Sequence, residues 1–164
     1  MKQFLTLIFN IFLMSSIYAK NQTVFYEPHL TLLTGEIKML KFPGPPNYTS
    51  IKDGDRDETG PYLVLNVPID IKSNFHIQGN DTTEKNVKLV QVVVKNKRNW
   101  DKIREGNCVE ISGTLFHALT GHHHARVLIM VEKVTVIKKR STETNAMQLT
   151  KEDWQFLDHE NLQN

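Results

Sequence analysis

The feature that most constrains the fold is residues 109–131, VEISGTLFHALTGHHHARVLIMV. Val109, Ile111, Gly113 and Leu115 alternate with Glu110, Ser112 and Thr114, a period of two that puts one set on the buried face of a strand. Val127, Ile129 and Val131 resume the alternation, while Leu128 and Met130 make this second strand apolar on both faces. Between the strands lie His117, His122, His123 and His124. The pattern predicts a hairpin with imidazoles at its rim, where binding residues concentrate.

Upstream, residues 30–42 read as a strand with Leu33, Gly35, Ile37 and Met39 inward and Thr34, Glu36 and Lys38 outward. Gly35 in its middle predicts a bulge or sharp bend, as needed when one strand serves both sides of a small barrel. Residues 43–48, PGPPNY, begin a loop stiffened by proline that stays polar to Pro61. Asp53, Asp55 and Asp57 alternate there as in a calcium loop, but Glu58 and Val64 stand where such a loop needs Gly and Glu. A solvated acidic loop is the better reading.

A second strand is expected over 62–71, with Pro68 marking an edge or a break, and a third over 87–95 with Val90, Val92 and Val94 in the core. Residues 99–105 predict a short helix capped by Asn99, with Trp100 and Ile103 on one face and Gly106 ending it. The hairpin strands follow, the second running to Ile137. Three strands, a helix and two strands make a mainly β fold: a five-stranded OB-like Greek-key barrel with one short helix between strands 3 and 4. An open antiparallel sheet with one helix is the alternative.

The barrel domain is assigned to residues 30–137, after a polar lead-in over 20–29. Residues 138–164 form a polar linker in which Thr150 can cap a short C-terminal helix bearing Trp154 and Leu157 on one side. Residues 1–19 have the form of a signal peptide: Lys2, an apolar run over 4–14, and Ala19 at the boundary. The run is shorter than the roughly 20 residues that span a bilayer, so no membrane span is expected after cleavage. A single Cys, Cys108, suits a bacterial periplasm better than a cystine-rich secreted domain, with secretion as the alternative. Taking Lys2 from the 20 Lys and Arg leaves 19 against 18 acidic residues. Nucleic acid, which needs a concentrated basic face, is not an expected partner.

Two motifs, FPGPPNY at 42–48 and GTLFHALTGHHH at 113–124, resemble an exported bacterial family, the domain of unknown function DUF4431. The likeness runs over about residues 30–136 and takes in the acidic stretch after the first motif and the EKNV segment at 84–87. This chain departs from the family pattern at Leu119, where a further His is common, and at Ala125, where Thr is common. The resemblance implies an exported domain and carries no activity with it.

Several roles fit the histidines. Imidazole suits zinc or copper, and on a strand His122 and His124 would converge while His123 points away, leaving His117 to reach back as a third ligand. A metal-dependent hydrolase would further need a general base, for which Glu58, Asp57 or Glu110 are candidates. No HExxH, nucleophile elbow or Cys–His arrangement occurs in the sequence, so a non-catalytic role is favoured. The reading preferred is a periplasmic binding or adaptor module that uses Asn47, Tyr48, His117, His122, His123 and His124 to hold a protein or small ligand. The alternatives are a zinc- or copper-binding protein through His117, His122 and His124, or an inhibitor or immunity-type protein.

Overall fold

The computed structural model describes residues 21–138 and Leu149. The expected leader over 1–19 and the expected helix after Thr150 lie outside the described residues. Six strands and one helix follow in the order β1 Gln22–Phe25, β2 Leu30–Pro43, β3 Asp57–Lys72, β4 Glu84–Val93, α1 Lys97–Trp100, β5 Cys108–His117 and β6 Val127–Val136.

Five of the strands close a barrel. β2 pairs antiparallel with β3 and with β5, β5 with β6, and β3 with β4; parallel β4 and β6 complete the ring. With its helix between β4 and β5, this is an OB-like barrel. The closed ring, joined by the β3–β4 and β4–β6 ladders, excludes the open-sheet alternative.

β2 serves both sides of the barrel, and Gly35 is where it changes partner, facing Val109 of β5 and Leu65 of β3. A Cβ on Gly35 would lie 2.1 Å from the Val64 carbonyl oxygen, so no other residue lets the strands approach this closely. Gly113 does the same against the Met130 carbonyl oxygen, at a register shift between Ser112 and Gly113.

Alternation decides which side chains fill the barrel. Leu33, Ile37, Leu63, Leu65, Val90, Val92, Val109, Ile111, Leu115, Ile129 and Val131 are buried together inside. The ladder between β3 and β4 is interrupted between Val64 and Ile69, the stretch that holds Pro68. A proline cannot donate to a ladder, so the break falls where the sequence placed it.

Two elements differ from expectation. The lead-in contributes β1, which runs parallel to the end of β3, and Val24 and Tyr26 enter the core. Too short to show periodicity, β1 borrows its pairing from β3. The helix starts earlier than expected and is capped by Asn96, whose Oδ1 accepts from the Asn99 amide. Asn99 itself is buried and docks the helix: its Nδ2 donates to the Glu132 carbonyl and its Oδ1 accepts from the Val134 amide. Trp100 stays half in solvent, while Ile103 packs into the core from the turn beyond the helix.

Candidate binding site

Two loops meet at one end of the barrel. Residues 44–56 join β2 to β3, and residues 118–126 join β5 to β6. The first is organised around Asp55, whose carboxylate turns inward and accepts from the backbone amides of Thr49 at 2.7 Å, Asn47 at 2.8 Å and Ser50 at 3.0 Å. The Ser50 and Thr49 amides lead in lowering its pKa to about 2, because each hydrogen bond favours the charged form. The acidic stretch is therefore partly an internal scaffold: Asp55 holds the loop, and Asp57 pairs with Lys41 at 2.6 Å.

That scaffold sets Tyr48, whose φ of 57° lies in the left-handed region. A bulky side chain pays strain there unless its surroundings fix it, and such strain collects at functional positions. The fixing contacts come from both loops. The Tyr48 amide donates to the Gly44 carbonyl at 3.0 Å. Its ring lies over Gly121, where a Cβ would come within 3.2 Å of the aromatic carbons. Its hydroxyl lies 3.2 Å from His122 Nε2, with the rings edge to face.

Glu58, the second residue of β3 and opposite Phe42, ties the loops together. Its Oε1 lies 2.8 Å from His122 Nδ1 and its Oε2 lies 3.2 Å from His124 Nε2. With its proton on Nδ1, a neutral His122 donates to Glu58 and accepts from the Tyr48 hydroxyl, so a single tautomer satisfies the chain. His124 is a packing residue as well, stacked on Phe42 with centroids 4.4 Å apart and planes 12° apart. Gln91 of β4 holds the histidine loop by its backbone: Oε1 accepts from the His124 amide at 2.7 Å, and Nε2 donates to the His122 carbonyl at 2.9 Å.

The structure brings His122 and His124 to one carboxylate, although they lie in a loop and not on a strand. His123 faces elsewhere: its Nδ1 accepts from the Leu119 amide at 2.9 Å and its ring meets Phe116 edge to face. Burial, then the neighbouring His122 and His124, pushes the His123 pKa down.

His117 does not join His122 and His124. Its Nε2 lies 3.2 Å from Oε1 of Glu84, whose Oε2 takes Arg126 Nη1 at 3.0 Å, and its backbone amide donates to buried Asn80. The last residue of β5, it is carried toward the start of β4, away from the carboxylate that the loop histidines share. Among the described residues, no group of three or more His, Cys, Asp or Glu side chains is placed to hold a metal ion.

The solvent edge of this end is formed by Asn47, Thr120, Gly121 and His122, with half-buried Tyr48 between the loops. The sequence motifs mark both loops but not what joins them. Glu58 stood out only as a departure from a calcium loop and as a candidate base, and Gln91 and Glu84 looked like ordinary polar positions on a strand. Only the barrel register, which sets Gln91 opposite both Tyr62 and Leu128, brings these residues to the histidines.

No curated protein matches this chain. A family model described as a domain of unknown function, DUF4431, matches residues 89–135, from the middle of β4 through the histidine loop to the end of β6. That segment carries Gln91, the four histidines and the β5–β6 hairpin, and over this part of the chain the sequence is similar to the DUF4431 family.

Proposed function

We propose that the chain is an exported, non-catalytic binding or adaptor module whose ligand edge is the barrel end where residues 44–56 and 118–126 meet. One observation carries this reading: Tyr48, in a left-handed backbone conformation, is clamped between the loops by the path Tyr48–His122–Glu58–His124. A fixed aromatic flanked by exposed polar groups is a preorganised contact, ordered before any ligand arrives. In OB-type barrels the loops joining strands 1 and 2 and strands 4 and 5 are the ones that take extended ligands. Counting the five barrel strands as β2 to β6, residues 44–56 (β2 to β3) and 118–126 (β5 to β6) are those two loops.

The near balance of charge favours an uncharged or mixed-charge ligand, a peptide segment or a saccharide, over a polyanion. Export is supported by the leader-like residues 1–19. The test is retention of partners from a periplasmic extract by the mature chain and by a Tyr48→Ala/His122→Ala variant. Loss of the retained species from the variant supports the assignment, and equal retention by both chains rejects it.

A further inference from the structure

One patch on the outward face of β2, β3 and β4 is apolar and covered. Phe42 on β2, Tyr62 on β3 and Leu89 on β4 have the opposite parity to Ile37, Leu63 and Val90 of the interior, so they point out of the barrel. Yet Phe42 is 1% exposed and Tyr62 0% exposed, and with Ala125 and Leu89 they form a second buried cluster. Side chains on the outside of a barrel are buried only when something lies over them. The His124 ring covers Phe42 from the histidine loop. Leu149, far beyond the end of β6, packs against the same cluster beside Leu40 and Val64.

We infer that this strand face is an interaction surface whose occupant is the chain's own C-terminal segment, seated by Leu149 on Phe42, Tyr62, Leu89 and Ala125. The chain length permits it: β6 ends at Val136, and the thirteen residues from there to Leu149 reach about 40 Å when extended. The chemistry also fits, since a branched apolar side chain is set among two aromatic rings and two aliphatic groups. The seat adjoins the loop end, because Phe42 stacks on His124 and the Ala125 amide faces Gln91 Oε1 at 3.3 Å. Anything that extends from the loops onto the strand face therefore meets Leu149 and displaces it. The segment is a built-in competitor for that part of the surface, whatever the loops themselves hold.

The test uses the full mature chain with labelled leucine and alanine methyl groups. The Leu149 methyls should be shifted upfield by the Phe42 and Tyr62 rings and show nuclear Overhauser contacts to the Tyr62 ring and the Ala125 methyl. Leu149→Asp should abolish these contacts and speed amide exchange at Val64 and Leu89 several-fold, while Leu149→Met should keep exchange near that of the parent. Leu149 methyls at random-coil shifts without such contacts would overturn the inference. So would contacts found only between differently labelled copies in a mixed sample, which would make the occupant a second molecule.

Discussion

Two centres of the same composition, a glutamate between basic partners, flank the histidine hairpin, and they differ in what surrounds them. At the Glu84 centre the carboxylate side chain is 8% exposed and lies between His117 and Arg126, with Tyr26 and Asn80 buried beside it. At the Glu58 centre one imidazole is packed against Phe42, while the other, His122, is 60% exposed and touches Tyr48. A buried charge is kept by its partners, so the Glu84 centre is a fastener for the start of β4 against the end of β5. A solvent-exposed contact between a carboxylate and an imidazole adds little to stability, so the Glu58 centre sets local geometry more than it holds the fold. Histidines nearly adjacent in sequence thus differ in burial and in partners according to which strand end they reach.

The largest expected effect is at the buried centre. Glu84→Ala leaves Arg126 and His117 without their acceptor and should lower unfolding free energy by about 3 kcal/mol, whereas Glu58→Ala should cost no more than about 1 kcal/mol. Urea titrations of the two variants measure this directly, and equal losses would erase the distinction between the centres.

Acid should act on the loop end through Asp55. Its folded pKa of about 2 lies below the ordinary 3.8, so its contribution is present above about pH 4 and is lost as pH falls through 2. The amide resonances of Thr49 and Ser50, followed on acidification, should keep their hydrogen-bonded positions well below pH 3.8.

His123 gives a smaller effect nearer neutrality. Its folded pKa is depressed, so the fold favours the neutral ring. Its contribution is present above the unfolded value of about 6.5 and declines as pH falls through the lower folded value. Protonation also removes the Nδ1 acceptor used by the Leu119 amide. Melting temperature should fall more between pH 7 and pH 5 for the parent than for His123→Gln, whose amide oxygen can accept without titrating.

The smallest effect tests the interior of the buried centre. Among the described residues the buried Tyr26 hydroxyl has no hydrogen-bond partner, and burial, then the charge of Glu84, drives its pKa far above the ordinary phenol range. Tyr26→Phe removes no hydrogen bond and should change stability by within about 0.5 kcal/mol, in either direction. A loss near that of Glu84→Ala would mean that the hydroxyl belongs to the fastener.

Period-two patterning made the barrel readable. Leu33, Ile37, Val90, Val92, Ile111 and Ile129 announce their faces, and Gly35 and Pro68 announce the bend and the break. What was not readable depended on long-range pairing. β1 is too short for periodicity, the cap falls at Asn96 and not at Asn99 because Asn99 is drawn into its contacts with β6, and Asp55 turns inward only because the amides of its own loop surround it. His122 and His124 lie in a loop and not on a strand, so their meeting at Glu58 depends on the two loops coming together, and assigning His117 to Glu84 requires knowing that β5 ends beside the start of β4. The outward burial of Phe42 and Tyr62 has no sequence signal, since an apolar residue at an outward position reads the same covered or bare.

The central claim is that contact occurs at the Glu58 end and not at the Glu84 end. Placing a photo-crosslinking side chain at Asn47, Thr120 or Asp81, all solvent-exposed, tests it in one experiment on the full chain. Asp81 sits three residues before Glu84 and reports on the fastener end. The prediction is that Asn47 and Thr120 yield the same adduct and Asp81 none; an adduct at Asp81 with none at the two loop positions would contradict the account.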